Sequence, residues 1–162
     1  MSIDKPHVQE VNGVFVPDYS ITSNREDYYD AIFKEYAPNK LLIRVGIHFT
    51  LEEMMCPCCN KIAIDPEFLF RLEALRRVCD FPFPITSGFR CAEHNAKIKG
   101  HPNSMHMQGK AVDIEMSTRC KIQRIKALAV HFEFKGIGIY PNHIHLDMRP
   151  GEGTVVFEGS YN

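Results

Sequence analysis

The segment NHIHLDMR, at positions 142–149, constrains the fold more than any other part of the sequence. Successive side chains of a β-strand point to opposite faces of the sheet. His143, His145 and Asp147 would therefore share one face, and the apolar residues between them would share the other. The alternation predicts a strand that packs its apolar face on a core and carries metal-competent side chains on its polar face. A half-exposed strand whose polar residues simply face water is the alternative.

Two amphipathic helices and several short strands complete the predicted fold. Asp65 is a suitable N-cap and Pro66 fits the first helical position, after which apolar residues recur at helical spacing to Val78. A second helix is predicted from about Thr118 to Phe132. Strand patterns alternate irregularly with these helices, which favours an α+β fold, a small antiparallel sheet flanked by helices, over a doubly wound one. The strand patterns are ITSGFR, KAVDI, GIGIY and HIHLDM.

The chain divides into three predicted parts. Residues 1–45 form an N-terminal extension of unknown role, residues 46–150 the main domain and residues 151–162 a C-terminal tail. Within the extension, VNGVFVP predicts a short hairpin or strand, residues 25–36 a helix, and LLIRV a further strand.

Composition excludes several classes of protein. The apolar fraction of 44% and the charged fraction of 24% are ordinary for a globular protein. A formal net charge of -1 argues against a large nucleic-acid footprint, which is usually strongly basic. The N-terminus lacks the apolar core of a signal peptide, and no apolar run is long enough to span a bilayer. We therefore expect a monomer without a nucleic-acid partner or a membrane span.

The segment NSMHMQGKAVDI, at positions 103–114, carries two further metal-competent residues. His106 lies in a predicted loop and Asp113 in a predicted strand, and Gly109 allows a sharp turn between them. Together with His145 they would supply three protein ligands, the number typical of catalytic zinc, whereas structural zinc usually takes four. A solvated loop and a surface carboxylate are the alternative, because spacing alone cannot show that these residues converge.

Four sequence blocks resemble those of a known family. SMHMQGKAVD fits the pattern S-x-H-x-x-G-x-A-x-D, and HIHLD supplies a later H-x-D. ITSGFRCAEHN resembles the segment S-G-[FY]-R-x-x-x-x-N, and GIGIYP resembles the strand before the last ligand. Over about residues 48–150 the chain is similar to the zinc D-Ala-D-Ala carboxypeptidases and L-alanyl-D-glutamate endopeptidases, murein peptidases related in fold to the N-terminal domain of hedgehog proteins.

The resemblance implies roles for five residues. His106, Asp113 and His145 would bind zinc. Arg90 would contact a substrate carbonyl or carboxylate, a role that suits a permanently charged fork of donors. Ser104 would support the site by hydrogen bonding.

The resemblance also implies a substrate and a setting. The substrate would be the stem peptides or cross-links of peptidoglycan, cut by a carboxypeptidase or an endopeptidase. With no predicted signal peptide, we expect a phage-type endolysin or tail-associated enzyme, made in a host cell and acting at the wall after release or in a particle. A non-catalytic zinc-containing domain of the same fold, used for binding or structure, is the alternative.

One position departs from the family pattern. Several members carry an acidic general base three residues before the last histidine ligand, and that position is Asn142 here. An amide cannot act as a base, although other members also lack the acid and keep the H-x-D. His143 is the first candidate for the base or for stabilising the transition state. Asp147 is the second candidate for the base. Its alternative roles are to orient a ligand or to bind Arg149.

Three cysteines crowd into the segment MMCPCCNK, too closely for an ordinary C-x-x-C knuckle. Structural zinc needs four ligands, and Cys91 or Cys79 could complete a set. A disulfide and free thiols are the other interpretations, and a zinc-ribbon nucleic-acid binder fits the near-neutral charge poorly. Cys79 and Cys120 are expected in helices as small apolar residues. The crowded cysteines are Cys56, Cys58 and Cys59.

Overall fold

The computed structural model describes residues 8–11, 14–17 and 44–159. Within these residues, no helix is long and apolar enough to cross a membrane. The elements, in chain order, are β1 (Val8–Val11), β2 (Val14–Pro17), α1 (Leu51–Met54), α2 (Pro66–Cys79), β3 (Ile85–Ser87), α3 (Ala92–Lys97), a 3₁₀ helix (Met105–Gln108), β4 (Ala111–Glu115), α4 (Arg119–His131), β5 (Gly136–Ile139), β6 (His143–Asp147) and β7 (Val155–Glu158).

The main sheet has five strands in the order β3-β4-β6-β5-β7. This confirms the α+β fold, with one difference from the expected antiparallel sheet, because β5 and β7 pair in parallel. β6 ends beside the start of β5, where Gly136 pairs with Asp147. The loop 148–154 passes around that end and places Val155 beside Gly136, so β7 must run in the direction of β5. This strand lies within the segment that the sequence analysis assigned to a C-terminal tail.

The two helices predicted for the main domain are confirmed. Asp65 caps α2 by accepting a hydrogen bond from the Phe68 backbone N–H at 3.0 Å, and Pro66 begins the helix. α4 begins after Thr118 and ends before Phe132. Both helices turn an apolar stripe toward the sheet. The fully buried residues of these stripes and of the facing strands include Leu72, Leu75, Ile125, Ala129, Ile114, Ile137, Ile144 and Leu146.

The predicted alternation in β6 is also confirmed. Ile144 and Leu146 are buried in the core, while His143, His145 and Asp147 occupy the opposite face. Asp147 is only 1% exposed, although it lies on the polar face. Something must therefore satisfy this buried carboxylate, and its partners are part of the site described below.

The N-terminal predictions are only partly covered by the described residues. β1 and β2 pair antiparallel, which confirms the hairpin predicted from VNGVFVP. The helix predicted over residues 25–36 lies outside the described residues, as do residues 41–43 of the LLIRV strand. Arg44 forms an isolated bridge with Thr50 rather than a strand. The division at residue 45 stays a prediction.

Candidate metal centre

The three predicted metal ligands converge, and the sheet explains two of them. Asp113 in β4 and His145 in β6 are directly opposite each other in the antiparallel register, and cross-strand neighbours have side chains close enough to touch. His106 reaches the same point from the 3₁₀ helix that precedes β4. These three residues are called the histidine–aspartate site below.

The donor atoms lie at distances that suit a tetrahedral metal. Asp113 Oδ1 is 2.8 Å from His145 Nδ1 and 3.3 Å from His106 Nε2, and the two histidine nitrogens are 3.3 Å apart. Zinc bonds of about 2.0–2.1 Å in a tetrahedron separate the ligand atoms by about 3.3 Å. Two imidazoles and a carboxylate are also ordinary zinc donors. The residues present therefore fit zinc.

A backbone carbonyl orients His106. Its Nδ1 donates a hydrogen bond to the Gly88 carbonyl oxygen at 2.7 Å, which places the lone pair on Nε2, the atom that faces Asp113 and His145. Gly109 then ends the 3₁₀ helix with a φ of +66°. A Cβ at Gly109 would lie 2.3 Å from the Ala63 carbonyl oxygen, so the turn requires glycine, as the sequence analysis expected.

A buried carboxylate orients His145. The ring Nε2 donates to Asp147 Oδ2 at 2.8 Å, which directs Nδ1 toward the other two ligands. Arg149 neutralises the same carboxylate, because its backbone N–H and its Nε each lie 2.9 Å from Asp147 Oδ1. Gly136 leaves the space that the carboxylate fills, since a Cβ there would be 2.3 Å from Asp147 Oδ1.

The structure brings Arg90 to the site and pairs it with a predicted ligand. One terminal nitrogen, Nη2, donates a short hydrogen bond to Asp113 Oδ2, and Nε donates to Ser87 Oγ at 2.7 Å. Arg90 thus holds one carboxylate oxygen while the other, Oδ1, faces the histidines. Its guanidinium also lines the cavity in front of the site.

The site's electrostatics favour an ionised Asp113 and a neutral His106, the forms that bind a metal. Burial by itself would raise the pKa of Asp113, but the imidazoles of His106 and His145 beside its carboxylate outweigh burial and hold that pKa well below its ordinary value. Burial lowers the pKa of His106 and so favours the neutral imidazole that a metal needs. Burial alone would also lower the pKa of His145, but the hydrogen bonds with Asp113 and Asp147 outweigh it and raise that pKa above its ordinary value, so at this residue a proton competes with the metal.

His143 lies beside the ligands in a defined orientation. Its Nδ1 is 2.9 Å from Asn142 Oδ1, and because an amide oxygen only accepts, Nδ1 carries the proton and Nε2 the lone pair. The ring stacks on Tyr140, with centroids 4.2 Å apart and planes 11° from parallel. Burial lowers the pKa of His143, which favours the neutral, basic form.

Ser104 lies at the cavity beside the histidine–aspartate site. It precedes the 3₁₀ helix, but its hydroxyl does not cap that helix. Its backbone N–H donates to the His101 carbonyl oxygen at 3.0 Å. Ser104 and His101 both line the cavity, so a role for Ser104 in binding substrate stays a prediction.

Glu115 was missed by the sequence analysis. It lies two residues after Asp113 in β4, on the same strand face, and pairs directly with His143 in the β4–β6 register. It is exposed and lines the same cavity. In AVDIE, as in HIHLD, alternate residues share one strand face, and this alternation would have placed Glu115 beside Asp113.

An open cavity of about 1130 Å³ lies in front of these residues. Its size is sufficient for an extended peptide rather than only a small ion. Both acidic and cationic side chains line the cavity. The basic residues that line the cavity are Arg90, Lys99 and Arg149.

Comparison with known proteins agrees with this geometry. A family model described as Peptidase M15 matches residues 47–147, well over half of the 162 residues. The match contains every residue of the histidine–aspartate site. No curated protein shows significant similarity to the chain. Members of the matched family are zinc-dependent metallopeptidases. The chain belongs to the Peptidase M15 family.

Proposed function

We propose that this protein is a zinc peptidase that hydrolyses amide bonds in the stem peptides or cross-links of peptidoglycan. One observation carries the proposal. His106, Asp113 and His145 place three donor atoms at tetrahedral spacing, at the wall of an open cavity. Three protein ligands leave a coordination position for water or substrate, as a catalytic site requires.

The metal and its ligands have separate tasks in this proposal. Zinc, when bound, supplies Lewis acidity toward the scissile carbonyl and the attacking water. His106 Nε2, Asp113 Oδ1 and His145 Nδ1 hold it. Asp147 fixes the ring of His145 through the 2.8 Å hydrogen bond to Nε2, so we assign Asp147 an orienting role. Its burial and its pairing with Arg149 leave it poorly placed to take a proton from water.

His143 is the proposed general base. Asn142 Oδ1 accepts a hydrogen bond from the Nδ1–H of His143, so Nε2 is the ring nitrogen that would take the proton of the attacking water. The imidazolium that forms would then donate its proton to the leaving amine. In this chain, an amide at the position of the family's acid would therefore act by selecting the tautomer of a neighbouring histidine. Glu115, opposite His143, is the second candidate for the base.

Arg90 is proposed to serve both the metal site and the substrate. Its Nη2 and Nε are bonded to Asp113 and Ser87, while its guanidinium borders the cavity. A fixed cation at this point would stabilise negative charge that develops on the carbonyl oxygen. Ser104, also at the cavity wall, is proposed to bind the substrate peptide.

The identity of the substrate is supported by the resemblance and by charge. Peptidoglycan stem peptides carry free carboxylates, and Lys99 lines the cavity as a cationic partner for them. The same resemblance supports an endolysin or tail-associated enzyme that reaches the wall from a host cell or in a phage particle. We propose residues 46–150 as the catalytic domain and residues 1–45 as an extension with a separate role.

A digestion experiment tests the proposal. Zinc-loaded protein is incubated with peptidoglycan of several wall types, and the released fragments are identified by mass spectrometry. We expect fragments that have gained the mass of one water at a peptide bond, and the identity of the new ends names the bond. His106→Ala should release none, whereas Cys120→Ser, an exposed change on α4, should behave as the unaltered protein.

A non-catalytic zinc domain is the second candidate, favoured by the amide at position 142. It predicts that zinc binds at the histidine–aspartate site and that no wall type is cleaved. That result would overturn the peptidase proposal and leave the metal ligands unchanged.

A further inference from the structure

Four cysteines meet outside the histidine–aspartate site. Cys56, Cys58 and Cys59 lie in one turn after α1, and Cys91 immediately follows Arg90 and caps α3. Their sulfur atoms all lie within 4.8 Å of one another. These four residues are called the cysteine cluster below. The alternative fourth member, Cys79, is buried at the end of α2 and does not belong to the group.

The turn has the form of a metal-binding knuckle. Cys56 and Cys59 have the C-x-x-C spacing, which corrects the expectation that the segment is too crowded for one. The Asn60 N–H donates to the Cys56 carbonyl oxygen at 2.9 Å, and the Cys56 N–H donates to the Lys61 carbonyl oxygen at 2.8 Å. Asn60 has a φ of +57°, which closes the turn. The backbone, rather than the sulfurs alone, therefore holds the three cysteines together.

The sulfur distances suit a four-coordinate metal and not a disulfide. Cys58 Sγ is 3.2 Å from Cys91 Sγ and 3.5 Å from Cys56 Sγ. Zinc–sulfur bonds of about 2.3 Å in a tetrahedron separate the sulfurs by about 3.8 Å, a value between these distances and the 4.8 Å upper limit. A disulfide would join only two of the four sulfurs and would bring them to about 2.05 Å.

Backbone donors face the sulfurs, as thiolates require. The Cys91 N–H points to Cys56 Sγ at 3.4 Å, and the His94 N–H points to Cys91 Sγ at 3.3 Å. Such N–H···S contacts partly compensate the charge of thiolates around a metal.

We propose that the cysteine cluster is a second zinc site, closed by four thiolates and structural in role. All four coordination positions are filled by protein, which leaves none for substrate. Binding converts four thiols into thiolates and releases their protons to solvent.

The cysteine cluster adjoins the segment 88–91, which supports the histidine–aspartate site. Cys91 follows Arg90, and the neighbouring Phe89 N–H is bonded to the Met54 carbonyl oxygen at 2.8 Å. The segment 88–91 therefore carries the Gly88 carbonyl that orients His106, the guanidinium that holds Asp113, and one thiolate. Zinc at the cysteine cluster would fasten this segment to the turn after α1. The proposed zinc site at the cysteine cluster does not depend on the peptidase proposal.

Metal counting on matched variants tests the inference. Protein purified under reducing conditions and saturated with zinc is passed through a desalting column, and zinc per chain is measured by elemental mass spectrometry. We expect about two ions in the unaltered chain and in Cys120→Ser, and about one in His106→Ala and in the double variant Cys58→Ser/Cys59→Ser, because each leaves only two ligands at the altered site. Cys58 and Cys59 are exposed, so their replacement spares the core.

A second measurement avoids variants altogether. Cobalt-substituted protein should show the intense near-ultraviolet charge-transfer absorption of thiolate ligands, and zinc loading should protect the cluster's thiols from a thiol reagent. One ion per chain with no change in the double variant Cys58→Ser/Cys59→Ser would overturn the inference, as would an intact mass showing a disulfide in zinc-saturated reduced protein. Two ions per unaltered chain with no cleavage of any wall type would overturn only the proposed function.

Discussion

The histidine–aspartate site and the cysteine cluster bring metal-binding atoms together by different means. The first is built on the regular sheet, where Asp113 and His145 are cross-strand neighbours. The second is built on a tight turn and the start of a short helix. The first has three donors and opens onto a cavity, whereas the second has four sulfurs and no vacant position.

The two sites differ in the number of ligands and in how those ligands are supported, and these two features separate a catalytic from a structural metal site. At the histidine–aspartate site, each proposed ligand is held by a second partner: Gly88 for His106, Arg90 for Asp113 and Asp147 for His145. Such support would keep three ligands in place and a fourth position available for chemistry. The cysteine cluster needs less support, because four bonds to one ion hold it closed.

The substitution with the largest expected effect should remove zinc from one site and leave the other site loaded. Asp113→Ala removes one of three ligands and leaves two histidines, too few to retain zinc through purification. Peptidoglycan cleavage should fall to the level of a protein-free control, while the cysteine cluster keeps its ion. Zinc per chain and released fragments are measured on the same sample. Cleavage at the unaltered rate would show that Asp113 is not a ligand.

A second change separates the ligands from the proposed base. His143→Ala should lower kcat by about 10²–10⁴-fold, the usual contribution of a general base, without loss of zinc from either site. Glu115→Gln is the matched variant from the opposite strand position. It should have a much smaller effect. The reverse order of the two variants would make Glu115 the base instead.

A third change weakens the support of a ligand without removing it. Asp147→Asn leaves the Nε2 proton of His145 with a weaker acceptor, and the affinity of the histidine–aspartate site for zinc should fall about 10–100-fold. Competition with a chromogenic chelator measures this loss. The matched control is Asp80→Asn at the end of α2, where a φ of +57° is tolerated by asparagine. Equal effects of the two variants would contradict the orienting role.

The smallest expected effect is that of pH. Zinc binds the neutral imidazole, and the pKa of His145 is raised above its ordinary value of 6.5. Zinc affinity should therefore be constant above that raised pKa and fall about tenfold per pH unit below it, because one proton competes with the metal.

The cysteine cluster displaces several thiol protons and should respond more steeply to acid. Chelator titrations of Cys58→Ser/Cys59→Ser and of His106→Ala at several pH values compare the sites, and a pH-independent histidine–aspartate site would contradict the assignment of His145.

The sequence predicted those features of the fold and site that depend on local pattern. The faces of β6 follow from alternation, and the limits of α2 follow from Asp65 and Pro66. The convergence of His106, Asp113 and His145 was implied by the resemblance, because strand register depends on contacts between distant segments and not on spacing.

Other features depended on long-range structure. β7 is short, and residues 140–154, which include β6, separate it from its parallel partner β5, so no local pattern indicated the pairing. Cys91 could join Cys56 only once the loop after β3 folded beside the turn after α1. Glu115 required no such knowledge, since its place beside Asp113 in an alternating strand was already visible.

The most direct test of the account is an X-ray anomalous difference map of the zinc-loaded crystal, recorded at the zinc absorption edge. We predict two peaks. One should lie about 2.0–2.1 Å from His106 Nε2, Asp113 Oδ1 and His145 Nδ1 with no fourth protein ligand, and the other about 2.3 Å from the four cysteine sulfurs. A first site closed by a fourth side chain, or without a peak, would contradict the claim that the histidine–aspartate site is an open catalytic zinc site.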